Sequence, residues 1–472
     1  MAPLDPATTL LSTLSDAIRE SYYQDLIEGA YRFGQATNRI FNPTTEKING
    51  DGRNFQAMNG RMYSAQVSRD LYADAVAPRS PTVGRFKARV DETSGGPAGD
   101  VSAFDNAIET GWVDLERAAD GGEHAIGDLA EKLTQEMIDD DSELLAKLRN
   151  LPSTGLIGAI SGGLKADGTT YAEAGSFSSG VYGRIQLPDT VPMAMFARNV
   201  LIDIYDASTQ ALNATVIVNH VNGDDQSLSI QLVDSNGERT ETGNLVAADI
   251  AATDTVYLHG SRNKGMKSLG DWMVAEGTSG ESFFNIDRTV GTNRWMLPTV
   301  VGPATAQVLS HRYIRDLGRA LHVTKGEEVD GPAYVMQSGP RMHDTFIDIA
   351  AAETINHFAN DEARGERMVN FGYTGAMYSD PYLGKVGLEM DALCPDNLIR
   401  ALRLGDWQTL TLMDQMFKML PAEFGNFYRK STGTADGARS KVFRADRTGY
   451  ACDVCLQIHR QGLIRNVLPA AA

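Results

Sequence analysis

The chain has 472 residues, and 43 Lys plus Arg stand against 61 Asp plus Glu for a formal charge of -18. That length predicts two or three packed subdomains, and an apolar share of 42% makes the chain globular rather than disordered. Strong acidity argues against a general nucleic-acid-binding surface, three cysteines cannot frame a disulfide scaffold and point to a reducing interior, and no stretch approaches the ~18 apolar residues of a membrane helix.

Asp5 and Asp16 stand where a secretory leader needs bases, so no signal peptide is expected. Residues 8–33 carry Leu10, Leu14, Ile18, Tyr22 and Leu26 at helical spacing. Residues 34–60 are turn-rich and extended. From Met62 to Ser68, and again from Arg85 to Asp91, apolar and polar residues alternate in strand fashion. Ala103 to Glu109 resumes a strand after a Gly-rich break. The whole stretch has few large apolar residues, so it reads as an arm that needs a neighbour. A helix follows over 125–151, with Leu129, Leu133, Met137, Leu144 and Leu148 on one stripe and Pro152 as its stop. The run Asp139-Asp140-Asp141-Ser142 favours caps over helix interiors and is a candidate break.

Residues 153–183 are Gly- and Ser-rich and read as loop, and 185–204 are apolar. A β-rich insert is predicted over 205–260, with strands at Thr215–Val221, Leu228–Leu232 and Val256–Leu258 and a hairpin signal at Asn222-Gly223. Residues 260–300 read as loop carrying Trp272, Phe283, Phe284 and Trp295. Helices are predicted at 303–321, 341–359, 396–402 and 408–419. Strands are predicted at Ala333–Met336, Val386–Leu393, Lys441–Arg444 and Ala451–Ile458.

Charge is uneven. Residues 101–150 hold 13 acids and four bases, and 423–472 hold eight bases and four acids. Both regions read either as solvated surfaces or as complementary patches that meet within one chain or between copies. If the patches meet, salt should weaken the contact.

The fingerprints of catalysis are missing. Gly384-Lys385 has Ser379 where a phosphate loop needs its first Gly, and Val386 where it needs a hydroxyl. There is no dinucleotide-binding Gly pattern, no Gly-x-Ser-x-Gly elbow, and no pair of histidines four apart. The acids of 101–150 are more easily a solvated helix face than a carboxylate pair. Cys452-x-x-Cys455 is the one metal or redox spacing, with His459 and Cys394 available to complete it. In a strand, residues 452 and 455 face opposite sides, so the reading is buried thiols. The four tryptophans, Trp112 among them, read as core or interface anchors. No catalytic, cofactor-binding or metal residue is assigned, and no cofactor is expected.

The order of these features resembles the major capsid protein of tailed bacteriophages, the Hong Kong 97-type fold. It is carried by the extended arm, the coreless two-stranded arm, the long acidic helix, the mixed body with a β insert and the basic tail. Local likeness lies in Gly111-Trp112-Val113-Asp114-Leu115-Glu116, in Val256-Tyr257-Leu258-His259-Gly260, and in the helix around His311 and Arg312 before Tyr334-Val335-Met336. The resemblance implies an α+β fold. Its parts are an N-terminal arm (1–52), an extended loop (53–116) and a peripheral domain with the spine helix and the start of the axial domain (117–204). An insertion (205–260), an axial domain with returning peripheral segments (261–422) and C-terminal peripheral strands (423–472) complete it. It further implies a structural protein, not an enzyme, that builds an icosahedral head around double-stranded DNA and contacts that DNA non-specifically. Copies would meet as hexamers and pentamers through the extended loop and the arm, in a virion shell assembled in the host cytoplasm and without a membrane. A chain starting at Met1 implies a separate scaffolding protein in place of a cleaved propeptide. A portal is a further implied partner, as is a decoration protein. Lys87 is the sole Lys of the mapped loop, and no Asn partner for a cross-link is identified. Two other readings are an encapsulin-type compartment, whose chains are much shorter, and a hydrolase with a β-rich accessory module, for which no convergent acids or metal site are found.

Overall fold

The computed structural model describes residues 37, 44–48, 52–58, 83–89, 100–111, 139–165, 181–234, 237, 239–240, 243, 245, 250–274, 282–284, 286–325, 334–358, 376–380, 382–412, 417–420, 428–429 and 442–469. The fold is α+β: the described residues form three large sheets, two long helices on one of them, and three separate apolar cores. The helix expected over 8–33, the strand over 62–68, the first half of the helix over 125–151, and Trp112 lie outside the described residues.

The first sheet is organised by a 14-residue strand, Val442–Cys455. Its first ten residues pair antiparallel with Ser102–Gly111, from Val442 opposite Gly111 to Ala451 opposite Ser102. Its last four pair with Trp407–Thr411, on which Thr44–Lys47 adds a parallel strand. Phe417–Met419 and Tyr428–Arg429 pair on the edge away from Ser102–Gly111. The two short tail strands expected from sequence are therefore one strand. The helix expected at 408–419 is instead two strands, because Trp407, Thr409 and Thr411 suit a ladder beside Val442–Cys455 better than a free-standing helix.

Residues 139–150 are helical, and Leu151 N–H closes the last turn on Lys147 C=O at 3.0 Å before Pro152. The acidic run itself is helical, and what precedes it lies outside the described residues. Asp141 and Ser142 are both buried, and Asp141 faces Arg447 at 2.8 Å, so a tertiary partner overrides the capping tendency. A one-turn helix, Leu269–Trp272, packs against the end of this helix. A Cβ on Gly270 would stand 2.2 Å from the Leu151 carbonyl oxygen, so only Gly permits the approach.

The second sheet has seven antiparallel strands in the order Leu156–Ala159, Thr255–Leu258, Leu201–Tyr205, Leu212–Asn222, Ser227–Leu232, Tyr182–Gln186 and Gly162–Lys165. The predicted strands and the Asn222-Gly223 hairpin are present. The sheet, however, begins at Leu156, inside the stretch read as loop. Leu156–Ala159 and Gly162–Lys165 are short, glycine-bearing edge strands whose alternation is too brief to register. Leu151 and Ala146 of the helical segment join its core, with Ile185, Ile204, Val216, Ile230 and Val256.

The third sheet is mixed, in the order Thr299–Val301, Gly462–Arg465, Leu398–Leu402, Val335–Ser338, Gly384–Met390 and Ala376–Asp380. Leu398–Leu402, expected as a helix, is a central strand buried on both faces. A short continuous apolar run of that kind does not declare its period. Helices His311–Lys325 and Pro340–Phe358 accompany this sheet, and Ile314, Leu317, Leu321, Met342 and Phe346 enter its core. The first starts eight residues later than the sequence predicts, after a two-residue ladder at Gln307–Val308.

Candidate assembly surfaces

Gly52–Met58 and Val83–Arg89 form a two-stranded antiparallel ribbon, with Phe55 opposite Phe86 and Met58 opposite Val83. Sequence reading takes this arm to lack a core, but the structure supplies one from the same chain. Phe55 and Phe86 stack at 5.2 Å between ring centres. Phe86 also meets Trp272 at 5.9 Å, Phe284 at 5.3 Å and Trp295 at 6.4 Å. The aromatics scattered along 260–300 thus converge on one ribbon residue, and the buried Ala88 joins the same core. Trp272 anchors the cluster to the first sheet by donating its Nε1–H to the Asp453 carbonyl at 2.8 Å and by an edge contact to Trp407. Phe55 and Phe86 are two residues in a polar stretch, and nothing local in the sequence signals partners nearly 200 positions away.

At the ribbon's foot Asp100 accepts a hydrogen bond from Arg89 N–H at 2.9 Å and pairs with Lys267, whose ammonium also lies 5.2 Å from the Phe284 ring centre. The outer face differs. Asn54, Gln56, Arg85 and Arg89 are exposed and Lys87 is half-buried.

The acidic helix and the basic tail meet inside the chain. Asp453 is fully buried and accepts from Arg149 Nε at 3.2 Å, from Thr409 Oγ1 at 2.6 Å and from the Ser268 hydroxyl. Asp141 and Arg447 form a second pair, each side chain about 2% exposed or less. Glu143 holds Lys147 at 2.5 Å one turn on. Of the two readings of the uneven charge, this contact is the one within the chain.

A third polar cluster ties the N-terminal segment to the body. Asp391, fully buried, accepts from the Thr37 hydroxyl, from Gln337 Nε2 at 2.5 Å, from Asn150 Nδ2 at 3.3 Å and from Leu393 N–H at 3.0 Å. Arg400 donates to Asn150 Oδ1 at 2.5 Å. One carboxylate so gathers the arm, the end of the acidic helix and two strands of the third sheet.

The groups weighed for chemistry are spread apart. Cys394, Cys452 and Cys455 are buried free thiols, and burial pushes the Cys394 thiol up to about 12 and the other two well above their ordinary value. Burial also lowers the His459 imidazole. Among the described residues no three His, Cys, Asp or Glu side chains are grouped to hold a metal, and no helix is long and apolar enough to cross a membrane. Asp271 is raised to about 6, chiefly by burial, and accepts Ser153 N–H at 2.8 Å beside Lys267 and Arg288. It sits under the ribbon's aromatic core, where its surroundings are structural.

No protein-family model matches the chain, and no curated protein sequence matches it. Several solved structures are similar over most of its length at low identity. The capsid asymmetric unit of cyanophage A-1(L) is 9% identical with a TM-score of 0.46, covering 91% of this chain and 92% of that one. The capsid of a native GTA particle is 10% identical with a TM-score of 0.35, covering 91% and 89%. A structure of Mycobacterium phage Patience is 10% identical with a TM-score of 0.36, covering 98% and 90%.

Proposed function

We propose that the chain is a major capsid protein of the Hong Kong 97 type, a structural subunit that self-assembles into the icosahedral head of a tailed bacteriophage around double-stranded DNA. The observation that carries this reading is the ribbon. Its inner face is fixed to its own subunit, beside a sheet built from strands near both ends of the chain and crossed by an acidic helix. A two-stranded ribbon with one polar face is stabilised by docking on another chain, and repeated docking of identical copies closes a shell. A net-acidic subunit suits a container whose DNA must slide in and out. In this reading copies gather as hexamers and pentamers through the extended loop and the arm, with a scaffolding protein, a portal and a decoration protein as further partners. Assembly takes place in the host cytoplasm.

Met58 lies opposite Val83, so residues 59–82 can be replaced by a two-residue Asn-Gly turn that leaves the clamped ribbon whole. Ser102–Gly111 must be kept, because it pairs along most of the central strand. The shortened chain should purify as folded subunits that form no shells in negative-stain micrographs, where the full chain forms shells tens of nanometres wide. Normal shells from the shortened chain would sink the reading.

A further inference from the structure

The hairpin tip at Asn222-Gly223 brings a side-chain amide, a backbone nitrogen and a hydrogen-bond donor together in open solvent. Leu212–Asn222 and Ser227–Leu232 pair as far as Asn222 opposite Ser227, so residues 223–226 form the turn. Asn222 Oδ1 accepts the Asp224 N–H at 3.1 Å, which folds the side chain over the peptide that follows it. Gly223 and Asp224 are exposed, so water reaches the turn. No described residue accepts from Asn222 Nδ2 or from the Gly223 N–H. A Cβ built on Gly223 would meet nothing within 4 Å, so the flank of its nitrogen is open.

The peptide nitrogen that follows an Asn closes a five-membered ring when it attacks the side-chain Cγ. Negative charge gathers on Oδ1 in that step, and a backbone N–H already held against this oxygen stabilises it without reorganisation. Glycine at the next position leaves the nitrogen unhindered and the backbone free to turn. A second pair, Asn236-Gly237, differs at the nucleophile. The Gly237 N–H is donated to the Asp234 carbonyl at 3.1 Å, so the proton that its nitrogen must give up is held.

We propose that Asn222 is a self-modifying site, at which the Gly223 nitrogen displaces the side-chain amide. That nitrogen bonds to Cγ, its proton and the Nδ2 amide depart together as ammonia, and a succinimide remains. Water then opens the ring at either carbonyl. Breaking the bond to Cγ gives an aspartyl residue. Breaking the bond to the backbone carbonyl carbon gives an isoaspartyl residue, whose main chain runs through the side chain. Either product adds a negative charge beside Asp224 and Asp225, where Arg184 is already held by Asp225 at 2.6 Å and by Ser227 at 2.7 Å. The isoaspartyl form also lengthens the main chain at the last ladder pair, so the hairpin loosens at its tip. A subunit that is not replaced carries the change as a measure of its age. The inference goes beyond the capsid reading and does not depend on assembly.

The test incubates the full folded chain in ¹⁸O-water at mildly alkaline pH, so that each ring opening leaves one ¹⁸O at the residue that reacted. Peptides are then fragmented to place the label and to tell isoaspartyl from aspartyl. The expected result is label at position 222, mostly as isoaspartyl, ahead of position 236 and of Asn219, which precedes His220 in the same strand. In urea the lead of 222 over 236 should vanish, because both are then plain Asn-Gly pairs. Gly223→Ala has room for its methyl group and needs no left-handed backbone, so that chain should fold and lose the label at 222. The proposal is overturned if 236 keeps pace with 222 in the folded chain, if the lead persists in urea, or if label appears only after unfolding. It is equally overturned if Gly223→Ala is labelled as fast as the native chain, or if the product is aspartyl alone, which would mean direct hydrolysis by water. None of these outcomes touches the capsid reading.

Discussion

Arg447 is almost fully buried in the first sheet, 2.8 Å from Asp141, yet its guanidinium makes no well-aligned hydrogen bond among the described residues. A buried pair of that kind recovers its desolvation cost poorly, and removing one partner strands the other. Asp141→Asn should therefore cost about 3–5 kcal/mol in urea unfolding of the unassembled subunit, whereas Asp141→Leu with Arg447→Met should unfold near the native midpoint. A double variant as damaged as the single one would show that the pair is net stabilising. Asp271 gives a pH test. Its carboxyl is raised to about 6 from 3.8, so ionisation penalises the folded state, and the penalty is complete above pH 6 and gone below pH 4. Asp271→Asn should be more stable than the native subunit at pH 7, by on the order of 2 kcal/mol, and the two should converge near pH 4. A constant difference across that range would contradict the assignment. The charge asymmetry behind the Asp141–Arg447 contact is plain in the sequence. Which acid meets which base is not, because the pairing depends on the register of strands far apart in the chain.

At the scale of elements, the ribbon departs most from its sequence reading. Val83–Arg89 overlaps the strand expected from Arg85 to Asp91, but its partner Gly52–Met58 falls in a stretch read as turn-rich, and the lack of a core is only apparent, since Trp272, Phe284 and Trp295 arrive from a stretch that looks like loop. Phe86→Ala should cost about 3–5 kcal/mol, as other buried Phe truncations do. Amide exchange should quicken across 52–58 and 83–89 and stay slow in Leu201–Tyr205, whose core is separate. Uniform quickening would mean that the ribbon is not an independent unit. Elements with a long clear period, such as Pro340–Phe358 and Ser227–Leu232, were legible. Leu398–Leu402 and Trp407–Thr411 were not, since strands buried by partners distant in sequence show neither alternation nor length.

For the whole molecule, length alone predicted the division into more than one core, and the described residues form three. The salt sensitivity expected of the acidic helix against the basic tail does not follow from the pairs that join them. The pairs joining them, Asp141 with Arg447 and Arg149 with Asp453, are buried in one subunit and little screened. Unfolding of the free chain should then change little between 0.1 and 0.5 M salt, as urea midpoints would read. A midpoint that fell steeply with salt would mean that these pairs are solvated rather than buried.

The strand Val442–Cys455 also sets a schedule. It is synthesised long after Ser102–Gly111, which pairs along it directly, and after Thr44–Lys47, which joins its sheet through Trp407–Thr411. These are non-local contacts of the slowest-forming kind. A nascent chain has its ribbon in hand long before the surface that anchors it through Trp272 and Asp453 exists. A nascent chain that stops short of Val442 therefore carries an unanchored ribbon, and the first sheet is completed only once Cys455 has been added.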